Sequence, residues 1–284
     1  MQLLNKLTRL ATVILVAAMA ATGCQKMERP ELKELILDPP PPPYSILKHL
    51  WAFENNTGDS GQYRARATAK NITYVPGVTG QAAKIGDDGY VLVPILNDSL
   101  KTPGSFTLAF WMNGSGPVQG GAQGLFAISN KKEFWGNLEL FLENWKNDAD
   151  PGEAFLKIHM FNSGAADGKG EQWNELKIPK ALNKWTHIAI TYDAATSQFS
   201  VFADGQPTSI HQKVLDDGKY GAVKFKDVNG MVIGTYQFET DNSLTDSHGK
   251  EDWAKSFNGS LDQFRIYNVP LSDAEVTALF TSKQ

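Results

Sequence analysis

Cysteine is almost missing from this chain: its 284 residues hold one, Cys24, so no disulfide can close within it. The fold must stand on its apolar core. A basic excess is missing too. Lys and Arg number 27 against 31 Asp and Glu, a net charge of −4. That argues against a nucleic-acid partner, which needs a basic surface. The five histidines, at 49, 159, 187, 211 and 248, show no zinc-ligand spacing. What is present is an ordinary globular composition, 42% hydrophobic and 11% aromatic, long enough for one large β-domain or two small ones.

Lys6 and Arg9 precede an apolar run, Leu10 to Ala21, that is too short to span a bilayer and reads as the centre of a targeting signal. It ends in Ala21-Thr-Gly-Cys24, which resembles a bacterial lipobox. The resemblance implies a signal peptide over 1–23, cleavage after Gly23 and acylation of Cys24. An ordinary secretory signal with an incidental cysteine is the plainer alternative. Gln25 stands where inner-membrane lipoproteins commonly carry an acidic residue, so an outer-membrane or cell-surface position is expected. Residues 24–46 read as a tether. Its unbroken prolines, Pro39 to Pro43, favour a stiff polyproline II spacer of about 3.1 Å per residue.

From residue 47 on, the pattern has period two. Thr186, Ile188, Ile190 and Tyr192 alternate with His187, Ala189 and Thr191, and Phe199, Val201 and Ala203 alternate with Gln198, Ser200 and Phe202. A polar link, Asp193 to Ser197, joins the two runs, and Asp204-Gly205 is a tight-turn pair, so the centre is a hairpin feeding a third strand. Both faces carry bulky side chains, which points to two packed sheets. Other strands are expected at 47–54, 78–85, 90–94, 105–112, 125–129, 138–143, 155–161, 222–226, 231–236 and 257–267. Residues 62–75 are weakly patterned. Ser272 and Glu275 form a capping box, with Leu271 and Val276 as its hydrophobic staple, which sets one short C-terminal helix. The expected fold is all-β: a two-sheet antiparallel sandwich over 47–284 with that helix.

Several stretches, in order, carry a family resemblance: Leu50-Trp-Ala-Phe-Glu54 with Asp59-Ser-Gly61; Gly77-Val-Thr-Gly-Gln-Ala82; Phe106-Thr-Leu-Ala-Phe-Trp111; Trp185 to Asp193; Ala203-Asp-Gly205; Phe257-Asn-Gly-Ser-Leu-Asp262 with Arg265-Ile-Tyr-Asn268; and Leu271-Ser-Asp-Ala-Glu275. Together they resemble the laminin-G-like, concanavalin A-like jelly-roll domains of bacterial surface proteins. The resemblance implies two curved sheets and a binding role. It departs at 62–75, where Arg64-Ala-Arg66 replaces a small-residue turn.

The resemblance also implies a structural calcium ion joining an N-terminal turn to the Asp of the last strand, here Asp59 and Asp262, with Glu54 less favoured. Asp262 shares the strand parity of apolar Phe264 and Ile266, where a lone carboxylate is costly. Calcium takes six to eight oxygens, main-chain ones included. Self-capping of the Asp59 turn is the competing account. The acidic stretch with Asp241, Asp246, Glu251 and Asp252 reads as solvated surface. For a glycan, Trp135, Trp145, Trp173 and Trp253 are candidates. They lie in polar, loop-like contexts, and indole faces stack on sugar C–H surfaces. Covering the rim of the core is the alternative for each.

Catalytic patterns fail on inspection. Gly58-Asp-Ser-Gly61 spells a serine-protease motif, but only His49 lies upstream. As a lipase motif it lacks a helix setting and the right partner, since Asp246-Ser-His248 is wrongly spaced. Glu139 and Glu143 share a strand face as in jelly-roll glycosidases, yet Phe141 stands where those enzymes place an acid, so one carboxyl is not set apart from the other. A membrane-anchored, non-catalytic binding lipoprotein that recognises a carbohydrate is therefore expected. An adhesion or assembly protein that binds a surface protein is the alternative, and a glycosidase ranks below both.

Overall fold

The computed structural model describes residues 44–94, 98–116, 121–143, 152–166 and 169–283. The predicted lipidation site Cys24, and with it the signal and nearly all of the tether, lies outside these residues, as does Trp145.

Fifteen strands form one antiparallel-dominated network. They are β1 Leu47–Trp51, β2 Thr68–Pro76, β3 Gln81–Val93, β4 Phe106–Gly114, β5 Ala122–Ile128, β6 Leu138–Leu142, β7 Ala154–Phe161, β8 Glu171–Ile178, β9 Thr186–Asp193, β10 Gln198–Ala203, β11 Gln206–Pro207, β12 Lys213–Val214, β13 Met231–Ile233, β14 Ala254–Ser256 and β15 Gly259–Tyr267. One layer runs β11-β10-β9-β4-β15 and the other β13-β5-β6-β7-β8. The long strand β3 joins them. Ala83 and Lys84 pair with β15, while Val91 to Val93 pair with β13.

The predicted hairpin is present in register, Asp193 opposite Gln198 and Ile190 opposite Val201. The turn after it holds Asp204 and Gly205 at φ 49° and 72°, a backbone that matches strand twist. Alternation then sorts the side chains. Phe106, Leu108, Phe110, Ile188, Ile190 and Phe264 from one layer meet Phe126, Leu140, Leu156 and Ile158 from the other in a single buried cluster. Phe264 links the layers, 5.1 Å from Phe110 and 5.2 Å from Phe126 between ring centroids. Each such side chain contributes roughly 1.5–3 kcal/mol on burial.

Four local expectations change. Residues 62–75 are not merely irregular: β2 occupies most of that stretch as a half-exposed strand along β3, and its weak pattern reflects that exposure. The Asp87-Asp-Gly89 stretch is a bulge within β3 and not a turn between two strands. Asn71 opposite it has φ 50°, and a Cβ on Gly86 or Gly89 would sit within 2.9 Å of the Asn71 carbonyl. Residues 222–226 form one isolated bridge, Gly104 to Val223. Trp173 lies on a strand, β8, and not in a loop.

The C-terminal helix Asp273–Thr281 has the predicted capping box. Glu275 N–H donates to Ser272 Oγ, and Ser272 N–H donates to Glu275 Oε2 at 2.8 Å. Leu271 and Val276 pack with Ala109, Ala189, Phe202 and Tyr267, so the helix covers the outer face of the β10-β9-β4-β15 layer. The outer face of the other layer carries the cleft described next.

Candidate functional site: an aromatic cleft on one sheet

In β6 the side chains of Leu138, Leu140 and Leu142 enter the core. Period two therefore sends Glu139, Phe141 and Glu143 to the outer face. Register extends this into two cross-strand rows. Phe141, Lys157 and Glu175 stand side by side on β6, β7 and β8, and so do Glu139, His159 and Trp173. Connections on the same face add Trp135, which precedes β6, and Trp253, which precedes β14.

These groups surround a cleft of about 430 Å³ lined by Ala122, Trp135, Phe141, Glu143, Lys157, Trp173, Glu175 and Trp253. Trp135 stacks on Phe141, centroids 5.4 Å apart and planes 4° from parallel. Trp173 meets Trp135 edge-on at 5.2 Å, and Trp253 lies 6.1 Å from it. Fully buried Tyr236 and Phe238 back the cluster. Trp173 and Trp253 are each 36% exposed, so their surfaces are open to a ligand. Of the four predicted tryptophans the fold brings three together.

The Trp135 loop is held in place by its backbone. Gln237 Nε2 donates to the carbonyls of Glu133 and Phe134 at 2.9 and 2.8 Å, and Asn130 N–H donates to Gln237 Oε1 at 2.7 Å. Gly136 N–H donates to Glu139 Oε2 at 2.6 Å. Glu139 is wholly buried, and desolvation pushes its carboxyl up to about 8 despite the N–H groups of Gly136 and Gln237. Burial likewise holds His159 below its ordinary value, against the pull of the Gly136 carbonyl and Glu171. Lys157 bonds both Glu143 and Glu175, and this outweighs its desolvation to raise its pKa.

The Glu139–Glu143 pair weighed for glycoside hydrolysis is not assembled. Glu143 lines the cleft, but Glu139 is sealed beneath the Gly136 and Gln237 backbone. The sequence reading overlooked Lys157, His159, Glu171 and Glu175 as site residues. The outward parity of Glu171, Trp173 and Glu175 against inward Leu176 and Ile178 was the available signal.

The two predicted calcium ligands hold different loops. Asp59 Oδ1 accepts from the N–H of Leu50 and Gly61, and its Oδ2 accepts from Ala65 N–H at 2.8 Å and bonds His49 Nδ1 at 2.7 Å. Burial raises its pKa, but His49 and these N–H groups outweigh that and the net shift is downward. Asp59 thus has four donors from the protein and does not fit a calcium site. Asp262 differs. Its Oδ2 accepts from Val78 and Thr79 N–H, but Oδ1 is buried without a partner. Desolvation, with a smaller push from Glu54, takes its pKa up to about 6 against the N–H groups of Thr79 and Val78. Asp262 thus keeps a carboxylate oxygen without a protein donor where Asp59 keeps none. Among the described residues, no three His, Cys, Asp or Glu side chains gather round one point.

Residues 85–224 match the family model of the concanavalin A-like lectin/glucanases superfamily. The two layers run beyond the matched stretch, since β13 and β15, which complete them, come after it. Most of the cleft falls inside the match, and Trp253 falls outside. No curated protein matches the sequence. Among solved structures, the binding domain of botulinum neurotoxin DC, solved with rat synaptotagmin II, is 16% identical with a TM-score of 0.56, over 84% of this chain and 51% of that one. The binding domain of Paraclostridial mosquitocidal protein 1 gives 16% and 0.56, over 84% and 52%. A botulinum neurotoxin type C structure, titled for cell entry through two ganglioside molecules, gives 14% and 0.57, over 84% and 51%. The chain thus spans about half the length of the structures it matches, and at these identities the likeness shows the concanavalin A-like fold alone.

Proposed function

We propose that this chain is a non-catalytic carbohydrate-binding protein, anchored at the outer membrane or cell surface through a lipid on Cys24. The convergence of Trp135, Trp173 and Trp253 on one cleft carries this reading. Aromatic walls with a few placed polar groups suit the C–H faces and hydroxyls of sugars. The fold neighbours include a toxin whose title names gangliosides, which fits a binding role for such a sandwich. Burial of Glu139 speaks against glycoside hydrolysis, because both carboxyls must reach the scissile bond.

The test is a glycan array with the purified chain and its Trp173→Ala variant. Binding that Trp173→Ala weakens supports the reading, and no binding to any glycan overturns it. Anchoring is tested separately by metabolic labelling with a palmitate analogue: label on the wild type and none on Cys24→Ala is expected.

A further inference from the structure

A second recess of about 250 Å³ shares Trp135 with the first and is otherwise lined by Asn130, Glu133, Phe134, His159, Phe161 and Glu171. Trp135 is the one residue common to both recesses, whose linings otherwise differ, so one sugar ring does not fill both. Glu171 ties the two together. Its Oε1 accepts from Trp173 Nε1 and pairs with His159 Nε2, each at 3.2 Å.

The charge of this double groove is one-sided. Its lining holds four carboxylates, Glu143 and Glu175 in the first recess and Glu133 and Glu171 in the second. Against them stands one ammonium, Lys157, already bonded to Glu143 and Glu175. Among the described residues no arginine lines either recess, so none of them offers the planar fork that recognises sugar carboxylates and sulfates. Carboxylates accept from hydroxyls and ammonium groups, and they repel anions.

Resting on the carbohydrate-binding reading, we infer that the groove takes a neutral or amino-bearing glycan chain of at least two rings astride Trp135, and rejects acidic glycans. The chemistry therefore differs from that of a sialic acid or uronate receptor, whatever fold the two share.

The experiment measures affinity of the full chain for neutral glucan, xylan, mannan and chitin oligosaccharides of one to six rings, for chitosan oligosaccharides, and for oligogalacturonate, alginate and sialylated glycans. Affinity should rise at least tenfold from one ring to three and then level off. Acidic glycans should bind at least tenfold more weakly at low salt, with the gap narrowing as salt screens exposed charges. Glu133→Lys, at an exposed position, should narrow that gap while Tm stays put. Equal or tighter binding of acidic glycans, or a single ring binding as tightly as a trimer, overturns the inference. If Trp173→Ala still weakens that binding, the carbohydrate reading survives the loss. No binding to any of these glycans removes both.

Discussion

Replacing Glu139 by Gln isolates the energetic consequence of a carboxyl sealed under the Trp135 loop. The unfolded chain ionises near the ordinary value of 4.5, whereas the folded chain holds the proton up to about 8. Below pH 4.5 both states are protonated and there is no penalty. Between 4.5 and 8 the folded state binds more protons, so stability falls as pH rises. The fall is about 1.4 kcal/mol per pH unit, reaching roughly 5 kcal/mol at the top of the window. Gln mimics the protonated acid, so the variant should escape this slope. The difference between variant and wild type should grow by roughly 3 kcal/mol from pH 5 to 7.5, or roughly 6 to 12 °C in Tm for a domain of this size. His187, which burial and then Arg265 hold down at about 4, titrates in both proteins and cancels in the difference. Thermal melts by circular dichroism at half-unit pH steps measure it. Parallel Tm curves for the two proteins would falsify the argument that Glu139 is buried as a neutral acid.

Three further outcomes are expected. Trp173→Ala should lower glycan affinity about two- to tenfold, the worth of one aromatic contact, while shifting Tm little because Trp173 is 36% exposed; calorimetry and melts read the two, and a collapse of Tm would show the ring to be structural. Asp59→Ala should cost about 3–5 kcal/mol in denaturant unfolding, since it removes the buried carboxylate that bonds His49 and leaves the N–H groups of Leu50, Gly61 and Ala65 without that acceptor. Because folded Asp59 sits below its usual 3.8, its contribution is present above pH 3.8 and drains away as pH drops through the lower folded value. Calcium should raise the Tm of the wild type and not of Asp262→Asn, by mass action on the native state, and chelator should reverse it. A melt indifferent to calcium in both proteins removes the ion.

Much of the fold is written locally. The capping box needs only Ser272 and Glu275 in one helical turn, and the β9–β10 hairpin needs only two alternating runs and a short link. The stacking of two sheets was legible because period two with both faces bulky leaves few alternatives, and the jelly-roll order came from the family resemblance of seven motifs in sequence. Where the pattern faded, so did the reading. β2 is half-exposed, so its side chains carry no strong alternation, and the bulge of β3 mimics a turn in sequence because Asp-Asp-Gly serves either.

The cleft was legible only in part. Sequence alone marked Trp135, Trp173 and Trp253 as large aromatics in polar surroundings, which is a property of each residue and its neighbours. Their convergence depends on register across β6, β7 and β8 and on a loop approaching from beyond residue 230, contacts between residues about 100 apart that no local pattern encodes. The same holds for the carboxylates. Spacing put Glu139 and Glu143 on one face, but only the packed Trp135 loop decided that Glu139 is sealed and Glu143 is open. Asp59 and Asp262 likewise looked like partners as residue types, and the tertiary structure gave one four protein donors and left the other an oxygen to spare. Alternation is fixed by the backbone repeat. Access and pairing are fixed by which distant segment arrives on top.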